Sequence, residues 1–210
     1  MYAAMALLLA WLGVWGAWIG HRTVALTQNA IDLAEWSDYL MDVRFGGLAG
    51  TPNCLRLAVG LAMIALALGA GAIGNRWLRW GMRLTAALPA VVMLPPYPFL
   101  LELWWSDSYG VRFTIALLAL TGIAASGLFD RMAGLVRQAA VAVLGVVSAG
   151  LGIWTFFALR PPFEAHYASS IAPGWGSLLF WGVLILAVGF EVAAACRGRQ
   201  APSSDIKAST

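Results

Sequence analysis

Charge is the scarcest commodity in this chain: 11% of its 210 residues are Asp, Glu, Lys or Arg, against about a quarter in a soluble domain. Cysteine and histidine are nearly missing, with two of each. Two thiols exclude a disulfide-stapled secreted module, and a formal charge of +3 leaves no basic face for nucleic acid. Charge is missing altogether from the middle thirds of the long apolar runs. A proton pump, a voltage sensor or an ion-coupled antiporter keeps an ionisable group there, so those classes are disfavoured. G-x-S-x-G, H-E-x-x-H and a Gly-rich phosphate loop are also absent, and no base with an orienting third group can be named, so the chain reads as no enzyme.

What is present is apolar surface: 61% of the chain is hydrophobic, and its mean hydropathy is +0.79. About 20 apolar residues cross about 30 Å of hydrocarbon as a helix. Six runs meet that length roughly: Ala3 to Gly20, Leu57 to Gly74, Leu84 to Trp105, Phe113 to Phe129, Ala139 to Leu159 and Leu178 to Cys196. Their Leu- and Ala-rich continuity is not the alternating polarity of barrel strands. The first run lacks a basic leader and a small-x-small cleavage site, and reads as a retained span.

Arg and Lys set the orientation. Arg76, Arg79, Arg83, Arg131, Arg137, Arg197, Arg199 and Lys207 fall on one side of a six-span chain; Arg22, Arg44, Arg56, Arg112 and Arg160 fall on the other. The richer side is cytoplasmic by the positive-inside rule, which places both termini there and the long first loop outside. Trp77 and Trp80, and on the far side Trp18, Trp104, Trp105 and Trp175, suit interfacial belts.

Within the loop from Gly20 to Arg56, residues 29–45 read as a short amphipathic helix. At 100° per residue Ala30, Leu33, Trp36, Leu40 and Val43 share one arc, and Asp32, Glu35, Asp38 and Asp42 the opposite one. Asn29 is placed to cap its N-terminus, and Gly46-Gly47 to stop it. An acidic polar face is the wrong sign for anionic lipid, so the apolar arc is expected to pack on the spans or on a partner. The acidic stripe reads as a solvated face. Its alternative is a divalent-cation site or a docking surface for a basic partner, although no calcium-loop spacing accompanies it.

The third run is interrupted by Pro95-Pro96-Tyr97-Pro98 and continues to Glu102. Proline removes an N–H and clashes with the carbonyl four residues back, freeing the carbonyls of Val91, Val92 and Leu94. Lipid offers them nothing, so water, an ion or side chains such as Thr114 or Ser148 must. Pro95, Pro96, Tyr97, Pro98 and Glu102 are therefore candidate substrate or partner contacts, together with Asp32, Glu35, Trp36, Asp38 and Asp42. A second broken helix, as in inverted-repeat transporters, is missing: Pro161 and Pro162 fall at the outer boundary of the fifth run.

His21 and His166 lie on the outer side and are the candidate haem or metal ligands, without an accompanying ligand motif. Cys54 and Cys196 fall on opposite sides and cannot pair. Small residues four apart, at Gly16 and Gly20, Ala65 and Gly69, and Gly145 and Ala149, suit close helix packing, with the second and fifth spans innermost. The expectation is an all-α polytopic membrane protein: residues 1–196 form a six-helix transmembrane bundle with an outer amphipathic helix, and 197–210 a cytoplasmic polar tail. Functionally the chain reads as a non-catalytic accessory or scaffold subunit, in contact with the bilayer and with other membrane proteins or itself, and with no nucleic acid. The alternatives are a small permease or channel using the broken third span, and a redox subunit holding haem or metal. No cofactor can be named.

Overall fold

The computed structural model describes residues 2–20, 27–95, 107–131 and 134–200. They are mostly helical, in the order α1 (Tyr2–Trp15), β1 (Ile19–Gly20), α2 (Ala30–Ser37), α3 (Met41–Arg44), α4 (Thr51–Ala70), α5 (Arg76–Val92), α6 (Asp107–Ala125), a 3-10 turn (Leu128–Arg131), α7 (Gly134–Tyr167), β2 (Ala172–Pro173) and α8 (Trp175–Gln200). Four of these, α4, α6, α7 and α8, are long and apolar enough to cross a membrane. Large apolar side chains stand exposed along their flanks, among them Leu117, Leu118, Val143, Val146, Trp154, Phe157, Ile185 and Phe190. That much open apolar surface is foreign to a monomer in water and natural in lipid.

Helix α4 is the axis of the bundle. Its most apolar stretch is 72% buried, against 28% for α6, 39% for α7 and 28% for α8. The cause is its run of Ala and Gly, which lets neighbouring backbones come close where no hydrophobic drive separates protein from lipid. The Ser148 hydroxyl on α7 donates to the Ala58 carbonyl at 2.7 Å, spanning that close contact. A second tight crossing joins α1 to α8. A Cβ on Gly176 would lie 2.6 Å from the Gly16 carbonyl oxygen and 2.8 Å from its Cα. Beyond that crossing, β1 pairs antiparallel with β2, Ile19 opposite Pro173. Trp18 is fully buried there against Phe180 and Trp181, and its indole N–H donates to the Gly13 carbonyl at 3.0 Å.

The elements depart from the sequence expectation at their ends. The first helix stops at Trp15, where Gly16 and the β1–β2 pair take over, so Trp18 is a core residue rather than an interfacial one. Pro52 in its first turn starts α4 at Thr51, six residues before the expected Leu57, and brings Arg56 inside the helix. Helix α7 does not end at Leu159 but runs through Pro161 and Pro162 to Tyr167. Two contacts hold this extension: Arg160 Nε donates to Glu164 Oε1 at 2.9 Å, and Phe163 is buried with its ring against Tyr167. Of the two expected inner helices α4 is the more buried, and α7, packed on it, is second among the four long helices.

At the end where α4 stops and α5 starts, Asp130 accepts from Arg79 Nη1 at 3.0 Å and from Arg83 Nη2 at 2.6 Å. Arg83 is buried beside the Trp80 ring, and the Arg137 guanidinium donates to the Gly71 carbonyl. A Cβ on Gly71 would lie 2.5 Å from Oδ1, so any larger residue there would have to shift the Asp130 carboxylate against its two arginines. The crossing of α1 and α8 yields a paired test. Gly176→Ala is expected to lower unfolding stability in detergent by about 1–3 kcal/mol through overpacking against backbone. Gly182→Ala, with nothing within 4 Å of its Cβ, should be neutral or gain up to about 1 kcal/mol from helix propensity. Thermal melts of the two variants beside the parent provide the check.

Candidate functional site

Between β1 and α4 the chain forms a two-helix strap across one end of the bundle. Asn29 starts it: its side-chain oxygen accepts from the backbone N–H of Ile31 at 2.9 Å and Asp32 at 3.0 Å, as an N-cap should. Ala30, Ile31, Leu33, Ala34 and Ser37 are buried against the bundle. The expected single helix over residues 29–45 is in fact two, α2 and α3, with Leu40 extended between them. Its faces are also rotated slightly. Trp36, expected on the apolar arc, is 53% exposed, and Ser37 takes the buried position by donating to the Ala34 carbonyl at 3.0 Å.

Two arginines clamp the strap, and each is the sixth residue of a membrane-length helix (Thr51 to Arg56; Asp107 to Arg112). Arg56 is 3% exposed; its Nη2 donates to Asp38 Oδ2 at 2.6 Å and to the Ala34 carbonyl at 3.2 Å, and its Nη1 to Asn53 Oδ1 at 2.9 Å. Arg112 Nε donates to the Met93 carbonyl at 2.6 Å, and its Nη2 to Glu35 Oε1 and, at 3.3 Å, to the Leu94 carbonyl. The carbonyls at the end of α5 are therefore met by Arg112. Thr114 and Ser148, the expected partners, are engaged elsewhere, with Gly110 and Ala58. The Val91 carbonyl accepts the Leu94 N–H at 3.1 Å and needs no outside donor.

The clamps leave two hollows. The larger, about 690 Å³, lies between the strap and the ends of α5 and α6. Its polar lining is Glu35, Asp38, Tyr39, Arg44, Asn53, Tyr109 and Arg112; Val43, Ala49, Val92 and Leu94 supply apolar wall. The volume falls in the range of small-molecule sites, about 300–1,000 Å³. The smaller, about 390 Å³, is bounded by Asp32, Glu35, Trp36 and Tyr39 on α2 and just after it. Partial burial pushes the Asp32 carboxyl above its ordinary value; the Asn29 hydrogen bond opposes this, and Glu35 nearby adds to it.

Of the residues singled out from sequence, Asp32, Glu35 and Trp36 thus share one hollow and Glu35 and Asp38 the other. Asp42 is exposed on α3. Pro95 is buried just past the end of α5, while Pro96, Tyr97, Pro98 and Glu102 lie outside the described residues. His21 also lies outside them; His166 is exposed in the last turn of α7, its ring edge-on to Tyr167, rather than in a loop. Among the described residues no three His, Cys, Asp or Glu side chains come together to hold a metal ion.

Sequence reading missed Arg56 and Arg112 as organising groups. The available signal was a lone arginine near one end of an otherwise apolar helix, which marks a partner by default. The run Gly69-Ala70-Gly71-Ala72-Ile73-Gly74 has the glycine spacing of a dinucleotide-binding turn. Such a turn follows a strand and opens a helix, whereas this one closes α4. No protein-family profile matches the chain, and no curated protein or solved structure is detectably similar to it.

The clamps make a quantitative expectation. Arg56→Gln leaves the Asp38 carboxylate without its guanidinium and the Ala34 carbonyl with Ser37 alone, and is expected to cost about 2–3 kcal/mol. Arg112→Gln, at a less enclosed pair, should cost about 1–2 kcal/mol. Because the side chain of Asp38 is 45% exposed, coupling between Asp38→Asn and Arg56→Gln should stay under about 1 kcal/mol. Thermal melts, with the rate of tryptic cleavage after Arg44 as a reporter of strap release, measure all three.

Proposed function

We propose that the chain is a six-span integral membrane protein acting as a non-catalytic accessory or scaffold subunit, with the strap as its outer contact surface. Helices α1 and α5 supply the two spans beyond the four of full apolar length. Helix α5 rises about 26 Å at 1.5 Å per residue. Its average polarity comes from Arg76, Arg79 and Arg83 in its first two turns, where arginine reaches a boundary. Helix α1 is shorter, but Gly16 to Gly20 extend it toward the strap end. Both termini then lie with the arginine-rich, cytoplasmic end, and α2 and α3 lie outside.

The observation that carries the subunit reading is what the strap displays. Trp36 is 53% exposed, Tyr39 71%, Met41 71% and Phe45 73%, all on a segment pinned to the bundle by two guanidinium clamps. Aromatic side chains on a pre-ordered backbone form good interface anchors, because little entropy is lost when a partner covers them. A membrane partner retained through mild-detergent purification should be lost from the triple variant Trp36→Ala, Tyr39→Ala, Phe45→Ala, while that variant keeps the parent's melting temperature. A parent that purifies alone from its native membrane would overturn the subunit reading. Topology has its own check. With Cys54 and Cys196 first replaced by Ala, Gly47→Cys should react with an impermeant maleimide in intact cells and Gly74→Cys only after lysis; the reverse pattern would overturn the orientation.

The second reading, a small permease or channel along the broken α5, draws on the larger hollow, whose wall includes Val92 and Leu94 at the break. Under that reading Arg112 is the plug, since it occupies the Met93 and Leu94 carbonyls. Solute flux in liposomes that rises in Arg112→Ala would favour it.

A further inference from the structure

The hollow beneath the strap is lined by charges of both signs, and neither set is fully spent. Glu35 and Asp38 each use one carboxylate oxygen on an arginine; the second oxygen of each has no hydrogen-bond partner among the described residues. Arg112 commits Nε and Nη2, and its Nη1 makes no hydrogen bond to a described residue. Arg44 has no carboxylate partner among the described residues; its guanidinium lies 5.5 Å from the centre of the Phe45 ring. A ligand with one anionic and one cationic group finds acceptors for the second and donors for the first within one cavity of about 690 Å³.

The wall of that cavity continues into an apolar track. Leu84, Leu88, Val91 and Val92 on α5 are 68%, 51%, 50% and 47% exposed. Their spacing of four, seven and eight residues places them on one face of the helix, and Val92 is itself part of the cavity wall. A polar pocket of mixed charge at the top of an exposed apolar ridge has the shape of an amphiphile: head in the pocket, chain along the helix.

We propose that this cavity binds the headgroup of a zwitterionic membrane lipid carrying a phosphodiester and a primary ammonium, with an acyl chain on the α5 ridge. The phosphate accepts from Arg44 and from the free Nη1 of Arg112, as guanidinium groups favour. The ammonium, with three donors, lies toward the unused oxygens of Glu35 and Asp38. A lipid bearing only negative charge meets two carboxylates there and is disfavoured. The inference rests on the membrane placement of α5, and it meets the strap's aromatic face at Tyr39, which also lines this cavity.

Native mass spectrometry of the full chain, delipidated and then exchanged with micelles holding equal phosphatidylethanolamine, phosphatidylcholine and phosphatidylglycerol, tests it. One phosphatidylethanolamine per chain is expected, retained about tenfold over phosphatidylglycerol. Arg44→Gln should cut that retention about tenfold, as for loss of one hydrogen bond to a charged group. Arg76→Gln, at the opposite end, should leave it unchanged, and neither variant should shift the melting temperature by more than a few degrees. Equal retention of phosphatidylglycerol would overturn the proposal in favour of a simple basic patch. Retention indifferent to Arg44→Gln, or no bound lipid, would also overturn it. Water-soluble phosphoethanolamine displacing the lipid at comparable concentration would overturn the role of the ridge. The cysteine-labelling pattern of Gly47 and Gly74, neither of them in the cavity wall, reports membrane placement separately, so failure of the topology and failure of the lipid site are told apart.

Discussion

Backbone carbonyls that lose their helical partners cannot be left in an apolar surrounding, and at the strap end two arginines meet that constraint. Each stands one and a half turns into its helix, and each divides its guanidinium between a carboxylate of the strap and main-chain carbonyls: Ala34 for Arg56, Met93 and Leu94 for Arg112. The same five-donor fork that ends α5 safely therefore also anchors the strap. Position of α2, end of α5 and shape of the hollow between them are consequences of one arrangement. Lysine would not reproduce it, because a point charge cannot serve in-plane acceptors on two elements at once.

The two ends of the molecule solve related problems with opposite balances of charge. At the strap end each of the two clamping guanidinium groups has a carboxylate of its own. At the other end one carboxylate, Asp130, serves both Arg79 and Arg83, and Arg137 turns to the Gly71 carbonyl instead. That end keeps a surplus of positive charge, which is the ground for placing it inside in the proposed topology. The glycine at position 71 links this electrostatic choice to packing, since a methyl group there would keep the Asp130 carboxylate away from the helix terminus.

Long-range apolar content and helical class are legible in the sequence because they depend on composition over twenty residues at a time. Boundaries are not, because they depend on single contacts. The continuation of α7 through Pro161 and Pro162 rests on Arg160 with Glu164 and on the burial of Phe163, which a proline rule does not weigh. The acidic residues of the strap were legible as a stripe at helical spacing, and Asn29 as its cap. Their partners were not: Arg112 is seventy-seven positions from Glu35, and Arg56 eighteen from Asp38. Pairing across such distances is fixed by the fold, and a helical wheel of the strap alone leaves Glu35 and Asp38 looking solvated. Trp36 shows the same limit in reverse. Its arc looked apolar, but the break after Ser37 frees the helix to turn that ring outward.

The proline break looked like the natural place for a solute path because freed carbonyls attract ions. Arg112 changes that argument. A guanidinium bound to the Met93 and Leu94 carbonyls repels a cation and occupies the very oxygens that would coordinate it. For conduction along this route Arg112 would have to leave, exposing Glu35 and two carbonyls together, at a cost on the order of several kcal/mol. The closed arrangement instead leaves a hollow of about 690 Å³ with acidic and basic side chains in its lining. Such a hollow suits a ligand that stays rather than one that passes.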